Sequence, residues 1–171
     1  MNIIAKSILQ TGAQRGLASN LDYAGALTPK EAFSVLEAEP TATLIDVRTA
    51  AERDWVGRVD IPENQHASVE WSHYPTGTEN PDFLAQLKRA AASEKAEAAG
   101  SVDNDPTGKE RVLLFLCRSG VRSKHAARKA TQAGYRQCFD ILEGFEGDKD
   151  DAGHRKTIAG WCQAGLPWIG A

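Results

Sequence analysis

The order of elements between Val112 and Leu142 limits this chain more than any other feature. Val112-Leu113-Leu114-Phe115-Leu116 is an unbroken apolar run, the pattern of a strand covered on both faces. It ends at Cys117. A helical stretch follows from about Ser123 to a C-capping Gly134, and Cys138-Phe139-Asp140-Ile141-Leu142 is a second apolar run. Strand, loop, helix and strand in this order form a βαβ unit, whose strands are parallel.

The rest of the chain extends that unit. Thr28-Pro29-Lys30-Glu31 combines an N-cap Thr, a Pro at the first helical position and a Glu at N3. Ala32, Phe33, Val35 and Leu36 supply a buried stripe before Pro40 stops the helix, and Thr43-Leu44-Ile45-Asp46-Val47 is a further strand. Asn80-Pro81 starts another helix carrying Phe83, Leu84, Leu87 and Ala91, and residues 101 to 110 form an exposed loop. His154 to Ala164 is expected to be helical, with Gly165 ending it. Alternating strands and helices predict an α/β sandwich around a mostly parallel sheet with helices on both faces.

A chain of 171 residues suits one domain, drawn over residues 27 to 171, behind an extension of residues 1 to 26 that is partly helical or flexible. A net charge of -3 with both signs mixed argues against nucleic acid, and no apolar run reaches the ~20 residues that span a bilayer. Cys117, Cys138 and Cys162 are an odd number without close pairing, which points to a reducing, cytoplasmic setting. Met1 to Asn20 holds Lys6 and Arg15 but no acid, and Ile3, Ile4, Ile8 and Leu9 can share a helical face, so an organellar transit peptide stays open. Core packing is the expectation for Cys138 and Cys162. His66, His73, His125 and His154 lack metal-ligand spacing, and Ala152 and Ala159 break a calcium-loop reading of Asp148, Asp150 and Asp151.

Cys117 is different because of where it stands. A thiol after a buried strand and before a helix meets converging N–H groups of residues 118 to 123, the positive end of the helix dipole, and the charges of Arg118 and Arg122. Each favours thiolate over thiol. Gly120 lets the loop curl, and Ser123 either caps the helix or donates to an anion. Arg122 either faces a bound anion or turns inward to brace the loop; the second is the expectation. The site is an anion cradle, Arg118-Ser119-Gly120-Val121-Arg122-Ser123, around a nucleophile.

Two families use such a cradle. Tyrosine and dual-specificity phosphatases separate Cys from Arg by five residues, which would place Arg at 123, but that residue is Ser and Arg122 leaves only four between. Cys117-x-x-Gly120-x-Arg122-Ser123 resembles instead the active loop of the rhodanese family. Asp46-Val47-Arg48 with downstream Glu52, Ile61-Pro62, Leu142-Glu143-Gly144, and Trp161 with Ala164-Gly165-Leu166-Pro167-Trp168 resemble further motifs of that family. The likeness runs from about residue 27 to 168. It departs at Gly57-Arg58-Val59-Asp60, where that family often has Gly-His, in the long section before Val112, and at residues 148 to 158, which look inserted.

The resemblance implies a three-layer rhodanese-like sandwich and a sulfurtransferase. An anionic donor such as thiosulfate would load Cys117 as a persulfide, and a thiol, cyanide or a protein would accept the sulfur, with no metal or organic cofactor. It also implies that Asp46 and Arg48 hold the loop through hydrogen bonds, with Glu52 a partner for Arg48. The alternatives are a carrier loaded by a protein partner and, behind it, a Cys-dependent phosphatase or arsenate reductase.

Overall fold

The computed structural model describes residues 1 to 92 and 107 to 170. Among them, Gly25–Leu27 (β1), Thr43–Asp46 (β2), His66–Ser68 (β4), Val112–Leu116 (β5) and Gln137–Ile141 (β6) form one sheet in the order β1-β6-β5-β2-β4. Every pairing in it is parallel. Arg58–Val59 (β3) and Trp168–Ile169 (β7) pair antiparallel in a separate ribbon. The helices are Ile3–Ala18 (α1), Pro29–Ala38 (α2), Ala50–Val56 (α3), Phe83–Ala91 (α4), Arg122–Gln132 (α5) and Gly160–Gln163 (α6).

Strand periodicity explains why a continuous apolar run was required. Leu44, Leu114, Leu116, Phe139 and Ile141 face the layer that contains Leu9 of α1 and Ala32, Val35 and Leu36 of α2. Ile45, Leu113, Phe115 and Cys138, one position out of phase, face Phe83 and Leu87 of α4 and Ala126, Ala127 and Ala130 of α5. Both faces are buried, so both phases are largely apolar, and the few polar strand residues, Thr43, Asp46 and Asp140, are buried with them. The sheet with a helical layer on each side is the expected α/β sandwich.

Helix starts follow local chemistry. Thr28 and Glu31 form the reciprocal capping box, with the Thr28 hydroxyl accepting from Glu31 N–H at 3.3 Å and Glu31 accepting from Thr28 N–H at 2.8 Å. Thr49 and Glu52 do the same for α3, a helix that the apolar pattern alone did not reveal because none of its residues is buried. Asn80 accepts from Asp82 N–H at 2.9 Å, which delays α4 to Phe83. Of the loop expected at 101 to 110, residues 101 to 106 lie outside the described residues.

Residues 1 to 26 are packed structure. The boundary drawn at residue 27 falls inside β1, and α1 buries Ala5, Leu9, Gly12 and Gly16. Ile3 and Ile4, grouped above with Ile8 and Leu9 on one face, are instead 81% and 58% exposed. The hydroxyl of buried Tyr23 donates to buried Asp140 at 2.9 Å, and Arg15 pairs with Glu31 of α2 at 2.9 Å. These contacts tie the segment to β6 and α2.

The helix expected over 154 to 164 is reduced to Gly160–Gln163. Lys156 and Gly160 have φ of 67° and 94°, left-handed values that interrupt a right-handed helix. Asp150 organises the loop instead, accepting from Ala152 and His154 N–H at 3.0 and 2.8 Å and from the Thr157 hydroxyl at 2.9 Å. Lys156 Nζ donates to Val56 O at 3.1 Å, tying this loop to the end of α3.

The glycine contact between α1 and β1 is testable. A Cβ on Gly25 would lie 2.3 Å from the Gly12 carbonyl oxygen, backbone that cannot rotate away. Gly25→Ala should therefore lower unfolding stability by about 1–3 kcal/mol in urea denaturation. An unchanged midpoint would show that α1 is not pressed on the sheet.

Candidate active site

Chain order places the site. From β5 the chain crosses to β6 on one side, whereas β2 is followed by β4 on the other, so the connections diverge at the carboxyl ends of β5 and β2. Such a switch point leaves a crevice. Cys117 leaves β5 there, and Asp46 ends β2 in register with Leu116.

The Cys117 thiol is 1% exposed and continues the strand phase that faces α5. Gly120 N–H donates to Sγ at 3.1 Å, and Ser123 Oγ lies 3.4 Å from it. Gly120 has φ of 89°, the left-handed value that turns its N–H inward. Among the described residues, Gly120 is the member of the loop whose N–H reaches Sγ directly. Among the described residues, the amides of Arg118, Ser119 and Val121 have no acceptor, which leaves them available to an atom bound beyond the sulfur. Ser123 is not the helix cap: α5 begins one residue earlier, with Val121 at the N-cap, and the buried Ser123 hydroxyl accepts from the Cys117 thiol. Arg118 and Val121 are exposed at the rim.

Arg122 turns inward. Its guanidinium forms a two-pronged pair with Glu52 at 2.8 and 2.6 Å, joining the loop to α3. Glu52 was expected to pair with Arg48, but Arg48 lies on Asp46 instead, at 3.0 Å from Nε to Oδ1 and 2.6 Å from Nη2 to Oδ2. The reason is geometric. Asp46 and Arg48 are two residues apart and both fully buried, whereas Glu52 must fold back to cap Thr49 and so faces the loop.

Asp46 and Arg48 make no side-chain hydrogen bond to residues 118 to 123, contrary to expectation; their support is indirect. Arg48 donates to Gly57 O at 3.0 Å, and its guanidinium carbon stacks 4.1 Å above the Phe145 ring. Phe145 N–H in turn donates to Cys117 O at 2.8 Å, and Glu146 N–H to Arg118 O at 2.9 Å. Residues 144 to 146 thus clasp the backbone at the nucleophile. Gly144 allows the approach: a Cβ there would sit 2.5 Å from Cys117 O. Trp161 and Cys162 N–H hold the clasp from behind, donating to Gly144 and Phe145 carbonyls at 2.9 and 3.1 Å. Sequence reasoning noted Leu142-Glu143-Gly144 as a motif but missed the role of Phe145. A glycine flanked by an aromatic, after a strand beside the cysteine strand, was the available signal.

Cys138 and Cys162 are held protonated. Burial pushes both Cys138 and Cys162 up to about 11. His125 stacks on Trp71, and His73 meets Glu70 at 3.1 Å, whereas the hydrogen-bond partners of the Cys117 thiol are Gly120 and Ser123.

A cysteine in a loop of this form, at the switch point of a parallel sheet between helical layers, defines a rhodanese-like domain. Residues 28–151 match the rhodanese-like domain family, and the chain belongs to it. It is 32% identical over 139 residues to an uncharacterised protein of Rickettsia rickettsii, covering 81% of this chain and 91% of that one. The crystal structure of Rv0390 from M. tuberculosis is similar at 39% identity and a TM-score of 0.70, over 86% of this chain and 98% of that one. The polysulfide-sulfur transferase homodimer of Wolinella succinogenes shares the fold at 17% identity and a TM-score of 0.52, over 96% and 85% of the respective chains.

The Glu52 pair makes a pH prediction. Burial by itself would raise the Glu52 carboxyl, but hydrogen bonds from Arg122 and Thr49 outweigh it and hold the group at about 2, below its ordinary 4.5. A depressed folded value stabilises the fold above the unfolded value and is lost as pH falls from about 4.5 toward 2. Urea titrations should find Glu52→Gln less stable at pH 7 by roughly 2–3 kcal/mol, with the gap closing through that acid window. A gap independent of pH would mean that the ion pair does not carry the effect.

Proposed function

We propose that the protein is a sulfurtransferase that carries sulfane sulfur on Cys117, with thiosulfate or a related anion as donor. The carrying observation is the geometry at the thiol: Gly120 N–H donates to Sγ at 3.1 Å, while the amides of residues 118, 119 and 121 in the same loop have no acceptor among the described residues. Those amides suit the terminal, negatively charged sulfur of a persulfide.

The chemistry balances without a cofactor. The Cys117 thiolate attacks the outer sulfur of thiosulfate, the sulfur–sulfur bond of the donor breaks, and sulfite leaves with its electron pair. A thiol, cyanide or protein thiol then attacks the outer persulfide sulfur, and the Cys117 thiolate is released. The two displacements share one covalent intermediate, so ping-pong kinetics are expected. The position of Arg122 weighs against phosphoryl or arsenate chemistry, because its guanidinium is committed to Glu52 and does not line the cradle. Arg118 is the exposed cation beside the thiol and suits the donor's sulfonate.

Intact mass before and after thiosulfate, then after cyanide, tests the reading. One added sulfur on wild type, none on Cys117→Ser, and its removal by cyanide are the expected results, with Cys117→Ser retaining the wild-type circular dichroism spectrum. Arg118→Ala should raise the thiosulfate KM several-fold while leaving the discharge step less affected. Turnover retained in Cys117→Ser would overturn the assignment. Loading by a protein donor but not by thiosulfate would favour the carrier reading.

A further inference from the structure

The surface around Cys117 carries features that a small donor does not need. From Arg111 to Phe139 the sequence holds Arg111, Arg118, Arg122, Lys124, Arg128, Lys129 and Arg136 and no acidic residue, in a chain of net charge -3. Most of these charges are answered. Arg122 pairs with Glu52, Arg128 with Asp22, Lys129 with Glu79, and Arg136 with Glu110. Arg118 and Lys124 are exposed and make no salt bridge among the described residues. Lys124 stands in the first turn of α5, one residue after Ser123, and its charge acts on Asp140, buried beneath the helix. Two cations without a salt bridge among the described residues therefore stand in the Cys117 loop and in the first turn of the helix after it, at the positive end of that helix.

Exposed apolar side chains stand next to them. Trp55 lies one turn beyond Glu52 on α3, and Val121 directly precedes Arg122, so both neighbour the ion pair that joins α3 to the loop. Trp55 is 83% exposed and Val121 62%. Arg53 and Asp54 of α3 line a separate groove with Arg58 and Ser68, and Trp55 is not among the residues of that groove. A tryptophan left in water at a rim is a frequent anchor of protein contacts.

We propose that this rim, formed by Trp55, Val121, Arg118 and Lys124, docks a protein acceptor whose reactive cysteine lies in an acidic segment with an apolar residue nearby. The proposal rests on the persulfide reading. Charge complementarity selects the partner: an acidic segment meets the two free cations, and the apolar residue covers Trp55. Burial of the thiol to 1% exposure adds a requirement, since the acceptor sulfur must be inserted on a slender stretch of chain rather than presented on a flat surface. Electrostatic attraction of this kind acts on the rate of encounter and weakens with salt.

The test loads Cys117 and compares acceptors. The protein is loaded with thiosulfate, or with polysulfide if thiosulfate fails, and the persulfide is verified by mass. It is then discharged to 2-mercaptoethanol and to cysteine peptides flanked by Asp and Leu or by Lys and Leu. At low ionic strength the acidic peptide should react about tenfold faster than the basic one, a difference that shrinks in high salt. Lys124→Glu should reverse the preference, and Trp55→Ser should slow the acidic peptide, while both variants discharge to 2-mercaptoethanol as wild type does. Equal rates for the two peptides, or no response to either substitution, would overturn the docking surface while leaving the persulfide reading in place. Failure of both donors to load Cys117 would overturn that reading and the docking surface together.

Discussion

The carboxylate of Glu52 joins two elements that the chain makes separately. One oxygen accepts from Thr49 N–H and from Arg122, and the other accepts from Arg122 alone. The first contact starts α3 and the second sets the loop that carries the nucleophile. Because Arg122 is held there, the cradle presents backbone amides and not a guanidinium to whatever binds at Cys117. The proposed preference for sulfur over phosphoryl chemistry is thereby linked to the cap of a seven-residue helix.

Behind that pair lies a fully buried ion pair, Asp46 with Arg48. A buried pair gives little net stability, but loss of either partner leaves an unanswered charge in the interior. Its use here is positional: Arg48 supports the Phe145 ring, and Phe145 N–H fixes the Cys117 carbonyl. The nucleophile is therefore braced from two directions, by α3 through Arg122 and by residues 144 to 146 through the backbone. Phase along β5 does the rest, since one residue more or fewer would turn the thiol to the other helical layer.

Much of the fold was legible. The apolar runs, the Thr28 capping box and the Gly134 stop have local causes, and β2, β5, β6, α2 and α5 lie within a residue or two of expectation. What escaped depended on distant partners. β1, β4 and the β3–β7 ribbon are two or three residues long and exist because a neighbouring strand supplies their hydrogen bonds. The helix expected at 154 to 164 failed because Lys156 adopts a left-handed backbone, stabilised by its amide on Glu146 O and its ammonium on Val56 O. Composition carries no trace of either contact.

For the site, the sequence by itself marked Cys117 and its loop and determined the family, because seven consecutive residues hold the cysteine, the turn glycine and the helix start. It also settled that Arg122 was too close to Cys117 for the phosphatase spacing. Only the tertiary structure decided which acid meets which arginine, since Asp46, Glu52, Arg48 and Arg122 can be paired in more than one way on paper. Capping geometry turned Glu52 toward the loop, and burial confined Asp46 to Arg48. The clasp at Phe145, which a glycine without Cβ permits at the Cys117 carbonyl, likewise required two strands to be side by side before it had a meaning.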